Sequence, residues 1–338
     1  MQKTFLSLAL ASTLMMASSL VQEAKDVGLK AIPESQTELL KLIDNPKNPI
    51  TKEKVALGQK LYFDPRLSKS GFISCNSCHN LSEGGDDGLE AAVGHKWRVN
   101  PHHLNSPTVY NAVFNDKQFW DGRSPDLEDQ AQGPIQAAPE MAATKDHVAK
   151  TVNSIPAYVK EFKKAYGKDV QVTFEKITDT IGLFERTLVT PSAFDEFMNG
   201  CPSAMTPAQK EGLKTFIKVG CASCHNGVGI GGGMAPMNVT AKYKYMNVGD
   251  FKGDINGMVR VPTLRNITQT APYFHNGMVK TLRGAIKEMA RVQLGKKLSD
   301  KETASIEEFL KALDGKKPYM KVPQLPASTQ KTPKPSLD

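Results

Sequence analysis

Two short strings share a spacing with chemical meaning: "ISCNSCHN" at residues 73–80 and "GCASCHN" at 220–226. Each sets two cysteines three positions apart with a histidine directly after the second: Cys75, Cys78 and His79 in one, Cys221, Cys224 and His225 in the other. In C-x-x-C-H both thiols can form thioether bonds to the vinyl groups of a haem while the adjacent imidazole reaches the iron. Three other uses of paired cysteines fit less well. A four-cysteine zinc site separates its pairs by ~15–20 residues, far less than the span from Cys78 to Cys221. A thioredoxin-like redox pair belongs in a βαβ setting that neither string has. Disulfides suit an oxidising compartment but leave both histidines unexplained. The fifth cysteine, Cys201, is left over and is read as a small buried apolar residue.

A haem iron held by His79 or His225 takes a further axial ligand, which sets its potential and reactivity. Methionine raises the potential and suits electron transfer. After His225 the candidates are Met234, Met237, Met246, Met258, Met278 and Met289, and spacing selects none of them. Near His79 they are His95, His102 and His103, in the Gly-rich stretch "LSEGGDDGLEAAVGHKWRVNPHHLNSP", and spacing again leaves the choice open.

Helices must carry these groups. In "MTPAQKEGLKTFIKVG" Thr206 reads as an N-cap, Pro207 as the first helical residue and Gln209 as the capping-box partner, with Leu213, Phe216 and Ile217 on an apolar face before Cys221. "TKEKVALGQKLYF" repeats the pattern ahead of Cys75 with Leu57, Leu61 and Phe63, so the chain reads as an unequal duplication. "FEKITDTIGLFERTLVTP" and "SDKETASIEEFLKALDG" are further amphipathic helices, the second opened by a Ser299 to Glu302 capping box. Strand signals are few, and the expected class is mainly α. At 338 residues the chain exceeds one ordinary core. The division expected is an export signal over about residues 1–22, an N-terminal domain over 23–188, a C-terminal domain over 189–318 and a Pro-rich extended tail over 319–338.

The start has Lys3, an apolar run from Phe5 to Met16 and then small residues, as secretory signals do, with cleavage expected between Ala17 and Ala24. The run is shorter than the ~20 apolar residues of a membrane span, so no stable anchor is expected. In a bacterium this means the periplasm. The net charge of +8 is spread over lysines that sit beside acids, which reads as solvated helix faces rather than a nucleic-acid surface.

Longer motifs add a resemblance. "CNSCHNLSEGGDDG", "VGHKW", "NSPTVYNAVFN", "QFWDGR", "DQAQGPIQAAPEM", "GCASCHNGV", "VPTLRNITQTAPYFHNGMVKTL" and "KEMARVQLG" follow one another as in the bacterial dihaem cytochrome c peroxidases, which the chain resembles over roughly residues 50–315. The resemblance implies two cytochrome c-like domains, each with a covalent haem c, and reduction of hydrogen peroxide by a small soluble donor such as a c-type cytochrome. It assigns His95 as the ligand that blocks the first haem, Met289 as the sixth ligand of the second, Gln130 and Glu140 as the catalytic lining of the peroxide pocket, and Trp120 as the aromatic between the haems. It further implies a calcium held by the Asn105 side chain and the Thr270 and Pro272 carbonyls, and homodimers, which occur in that family. A group of relatives that oxidise a partner protein carries a tyrosine where Met289 stands, and a purely electron-carrying dihaem cytochrome would not need Gln130, Glu140 and a displaceable His95.

Overall fold

The computed structural model describes residues 17–338, so the first sixteen positions of the expected export signal lie outside the described residues. The helices begin where local chemistry caps them. Thr51 accepts the Lys54 amide at the start of the helix Lys52–Phe63, and Thr173 accepts the Lys176 amide ahead of Phe174–Arg186. Reciprocal Thr206–Gln209 and Ser299–Glu302 boxes open Pro207–Val219 and Asp300–Lys311.

Those helices build two cores. In the first, Leu57, Leu61 and Tyr62 pack with Ile177, Ile181 and Phe184. In the second, Leu213 and Phe216 pack with Ile306, Phe309 and Leu310. The same device recurs in both: the helix ahead of the cysteine motif crosses the last helix of its core at a glycine. A Cβ on Gly58 would meet the Thr180 carbonyl oxygen at 2.3 Å, and one on Gly212 the Ser305 carbonyl oxygen at 2.1 Å. Gly212→Ala is therefore expected to destabilise the folded protein by ~1–3 kcal/mol through forced helix separation. A denaturant midpoint equal to that of the parent would show that the crossing yields freely.

Strand structure among the described residues is a short antiparallel ribbon, Met234–Pro236 against Met258–Arg260, with Met234 opposite Arg260. Residues 17–32 pack on the second core although they come first in the chain. Leu20, Ala24 and Leu29 are buried there, and the Ile32 amide donates to Asp195 Oδ1 at 2.7 Å. Asp195 is itself clamped by Arg265 through two bonds of 2.8 Å. At the other end, residues 316–338 run extended over the first domain, where Arg66 Nη1 donates to the Pro326 carbonyl and the Ser328 hydroxyl, both at 2.9 Å.

Cys201 corrects the expectation of burial. It is exposed, in a turn between Gly200, which has a φ of 105°, and the one-turn helix Pro202–Ala204. A turn that needs left-handed backbone and proline side by side lies at the surface, whatever the apolarity of the thiol. Among the described residues no helix is long and apolar enough to cross a membrane.

Candidate functional site

The first cysteine motif is a single helical turn, Cys75–Cys78, whose Ser74 amide is taken up by the Ser77 hydroxyl at 3.0 Å. Cys75 packs into the first core, and burial holds its thiol well above the ordinary range. Burial, then the Asp87 and Glu140 carboxylates, pushes Cys78 up to about 12. Neither is in a disulfide. His79 is fixed at two points: the Tyr62 hydroxyl donates to its carbonyl at 2.6 Å, and its Nδ1 donates to the Pro107 carbonyl at 2.9 Å. That bond puts the ring proton on Nδ1 and leaves the Nε2 lone pair for a metal. Two neutral, half-buried thiols followed by an imidazole anchored in this way fit a covalently held haem.

His95 opens a one-turn segment, His95–Trp97, in which Lys96 and Trp97 take left-handed φ values of 61° and 55°. Such backbone costs an L-residue ~1–2 kcal/mol. It persists because its surroundings hold it. The His95 amide donates to the Glu140 carbonyl at 2.7 Å, while both ring nitrogens are buried without a hydrogen-bond partner. Burial, followed by Lys96, Lys69 and Arg98, keeps the imidazole below the usual histidine range, against the pull of the Asp338 backbone. A neutral, unpartnered imidazole is the form that binds iron. Of its rivals, His102 Nδ1 lies 2.8 Å from Asp250, while His103 Nε2, also without a hydrogen-bond partner, lies 3.8 Å from Glu90.

Glu140 thus stands beside both Cys78 and the His95 segment. Its carboxyl is lifted above the ordinary carboxylate range by burial, opposed by Arg123 and His102. Gln130 ends the short helix Leu127–Gln130 and is half-buried; its side chain makes no hydrogen bond to Glu140 or His95.

Over the second motif lies a largely apolar cavity lined by His225, Cys221 and Cys224 with Phe216, Leu264 and Ile286. Burial pushes the His225 imidazole down to about 4 and the Cys221 thiol up to about 11, so both are neutral, and His225 Nδ1 is buried without a partner. Of the six candidate methionines, Met237 and Met289 line this cavity. Met246 is turned elsewhere, its sulfur 3.4 Å from Asn238 Nδ2. The cavity fits a second haem: two cysteine sulfurs, an imidazole with an unpartnered nitrogen and an available thioether meet its wall.

Trp120 lines the same cavity, with its indole N–H donating to the Asn105 carbonyl at 2.9 Å and its ring edge-on to His275, centroids 6.4 Å apart. Asn105, Thr270 and Pro272 also line this cavity. Asn105 Nδ2 donates to the Leu89 carbonyl at 2.6 Å, which leaves Oδ1 free as an oxygen donor of the kind calcium takes. Among the described residues no group of three or more His, Cys, Asp or Glu side chains converges as for a metal ion.

Sequence reasoning missed two members of the site. Arg260 is buried beneath Trp120, its guanidinium 5.6 Å from the ring centroid and its Nε donating to the Phe119 carbonyl at 3.0 Å. Burial alone lowers its pKa to about 10. A lone arginine in the apolar run "MVRVP" was the available signal. The other is Pro107, whose carbonyl anchors His79 and which also lines the His225 cavity. A backbone carbonyl leaves no signal in composition or spacing.

Comparisons with known proteins agree with this arrangement. A family model described as di-haem cytochrome c peroxidase matches residues 52–203. The chain is 46% identical to cytochrome c551 peroxidase of Nitrosomonas europaea, over 85% of this chain and 87% of that protein. It is 43% identical to cytochrome c551 peroxidase of Pseudomonas aeruginosa, over 98% and 96% respectively. Among solved structures, a MauG-like protein associated with microbial copper homeostasis superposes with a TM-score of 0.70 at 26% identity, covering 80% of this chain and 92% of that one.

Proposed function

Since the chain belongs to the bacterial di-haem cytochrome c peroxidase family, we propose a division of labour between its two halves. The protein is a peroxidase with two haems: hydrogen peroxide, two electrons from a cytochrome and two protons give two waters. The second half receives the electrons from a small c-type cytochrome in the periplasm; Cys221 and Cys224 would hold its haem covalently, and His225 and Met289 would be the residues that bind its iron. Trp120 lies along the way to the first half, where Cys75, Cys78 and His79 hold the other haem.

When bound at His79, the haem iron supplies a binding position for peroxide and delivers electrons to it. The chain's own residues handle the protons. Glu140, ionised and poorly solvated, takes a proton from the peroxide oxygen nearer the iron and returns it to the departing oxygen, as heterolytic O–O cleavage needs. Gln130 donates a hydrogen bond as charge moves across the pocket. His95 occupies the open position of the first site in the oxidised protein and must leave before peroxide enters. A calcium bound by Asn105 Oδ1 and the carbonyls of Thr270 and Pro272 ties the loop after the first motif to the second half.

The observation that supports this reading most is the contrast at the first site. His79 is anchored by Nδ1, while His95, joined to Glu140 through the backbone, keeps both ring nitrogens unpartnered. His95→Gly is expected to react with peroxide without prior reduction, whereas the parent reacts only after its second haem has been reduced. Stopped-flow mixing of the oxidised proteins with peroxide checks this. An equal need for pre-reduction in His95→Gly would remove His95 as the block, and failure of the parent to turn over peroxide with a reduced small cytochrome would remove the donor class.

A further inference from the structure

The segment 316–338 leaves the second domain, crosses the first and arrives beside the His95 loop. Near its start the Lys316 amide donates to the Pro191 carbonyl at 2.8 Å, and the Gly315 amide to Asn266 Oδ1 at 2.8 Å. Midway, Met320 packs against the first core and Gln59 donates to the Lys321 carbonyl at 2.9 Å. Farther on, the Ser154 and Thr332 hydroxyls meet at 2.8 Å. At its end the Ser336 amide donates to the Lys69 carbonyl at 2.9 Å, and Lys69 Nζ donates to the Asp338 carbonyl oxygen at 2.6 Å.

Lys69–Phe72 is in turn the floor of the His95 loop. The Lys69 amide donates to the Met141 carbonyl at 2.9 Å, next to the Glu140 carbonyl that takes the His95 amide. Phe72 stacks on Trp97, with ring centroids 6.2 Å apart and planes 25° from parallel. Trp97 is one of the two consecutive left-handed residues that follow His95. Between them, Gly71 approaches Pro335 so closely that a Cβ would lie 2.8 Å from its ring. The tail therefore presses on a turn that touches both sides of a strained loop, and its last residue, Asp338, lies with its backbone beside the His95 imidazole.

We infer that residues 333–338 position the His95 loop in its closed form by clamping the Lys69–Phe72 turn, an inference that rests on His95 being the removable ligand of the first site. The clamp is anchored in the second domain, so loop opening is coupled to how firmly the tail is seated rather than to the loop alone. Releasing it frees the turn whose Phe72 stacks on the left-handed Trp97, and the loop relaxes toward the open form.

The test uses the two-haem protein in three forms: with residues 333–338 deleted, as Lys69→Met, and as His95→Gly. Each is fully oxidised and read for the spin state of the first haem by electron paramagnetic resonance and for the rate of cyanide binding. Deletion is expected to raise the open, high-spin fraction and the cyanide rate about tenfold, the size of one or two net hydrogen bonds. Lys69→Met should do part of the same, and Lys69→Arg should restore the parent behaviour. The potential of the second haem should not move, which a general loosening of the fold would not predict. Parent spin state and rate in both the deletion and Lys69→Met, with His95→Gly open, would overturn the clamp alone. A low-spin first haem in His95→Gly would overturn the assignment of His95, and the clamp with it. Combining the deletion with His95→Gly should add nothing to the rate, because both act on one equilibrium; full additivity would place the tail's effect elsewhere.

Discussion

Glu140→Gln is expected to lower peroxide turnover by about 10²–10⁴-fold while both haems and the reduction of the second remain as in the parent. The substitution keeps the volume of the side chain and the backbone carbonyl that accepts the His95 amide at 2.7 Å, so the loop geometry survives. Only the group that carries the proton between the two peroxide oxygens is lost. The pH profile separates this role from a structural one. Glu140 acts first as a base, so it must be ionised, and burial has moved its pKa up. Activity therefore falls as pH drops through that raised pKa, at a higher pH than an ordinary carboxylate would give. In Glu140→Gln that acid limb should vanish. Turnover near that of the parent, or an unchanged limb, would reject Glu140 as the proton carrier.

Met289→His is expected to lower the potential of the second haem by on the order of 0.1 V or more, within the ~0.8 V range over which axial ligands act. Imidazole is the stronger donor to oxidised iron, and a thioether favours the reduced state. Electron entry from a cytochrome should slow accordingly. Because Met237 lines the same cavity as Met289, Met237→Leu is the necessary companion and should leave the potential where it was. Potentiometry showing the reverse pattern would give the ligand role to Met237.

What could be read in advance was what is written locally. The cysteine strings, the capping boxes at Thr206 and Ser299 and the apolar faces of the long helices each depend on a few neighbouring residues, and the mainly helical class followed from them. The glycines at the helix crossings illustrate the limit. Gly58 and Gly212 look like weak points in their helices until the partner carbonyls at 2.3 and 2.1 Å are seen. Choosing among six methionines also needed tertiary position, since only the helix Leu282–Leu294 and the ribbon near Met237 bring a sulfur to the His225 cavity. The first strand of that ribbon comes just before Met237 in the chain. Cys201 was misread because a propensity for burial says nothing about a turn imposed by its neighbours. Arg260 was passed over because a charge in an apolar run becomes informative only once the cavity beside it is known.

Pro107 stands at the joint between the two sites. Its carbonyl holds His79 at 2.9 Å while the residue also forms part of the wall of the His225 cavity, so one residue of backbone adjoins both. If the two halves drew apart there, His79 would keep its anchor and the cavity around His225 would lose part of its wall. Loosening between the halves would thus reach the second site as lost shelter before it reached the first as lost alignment.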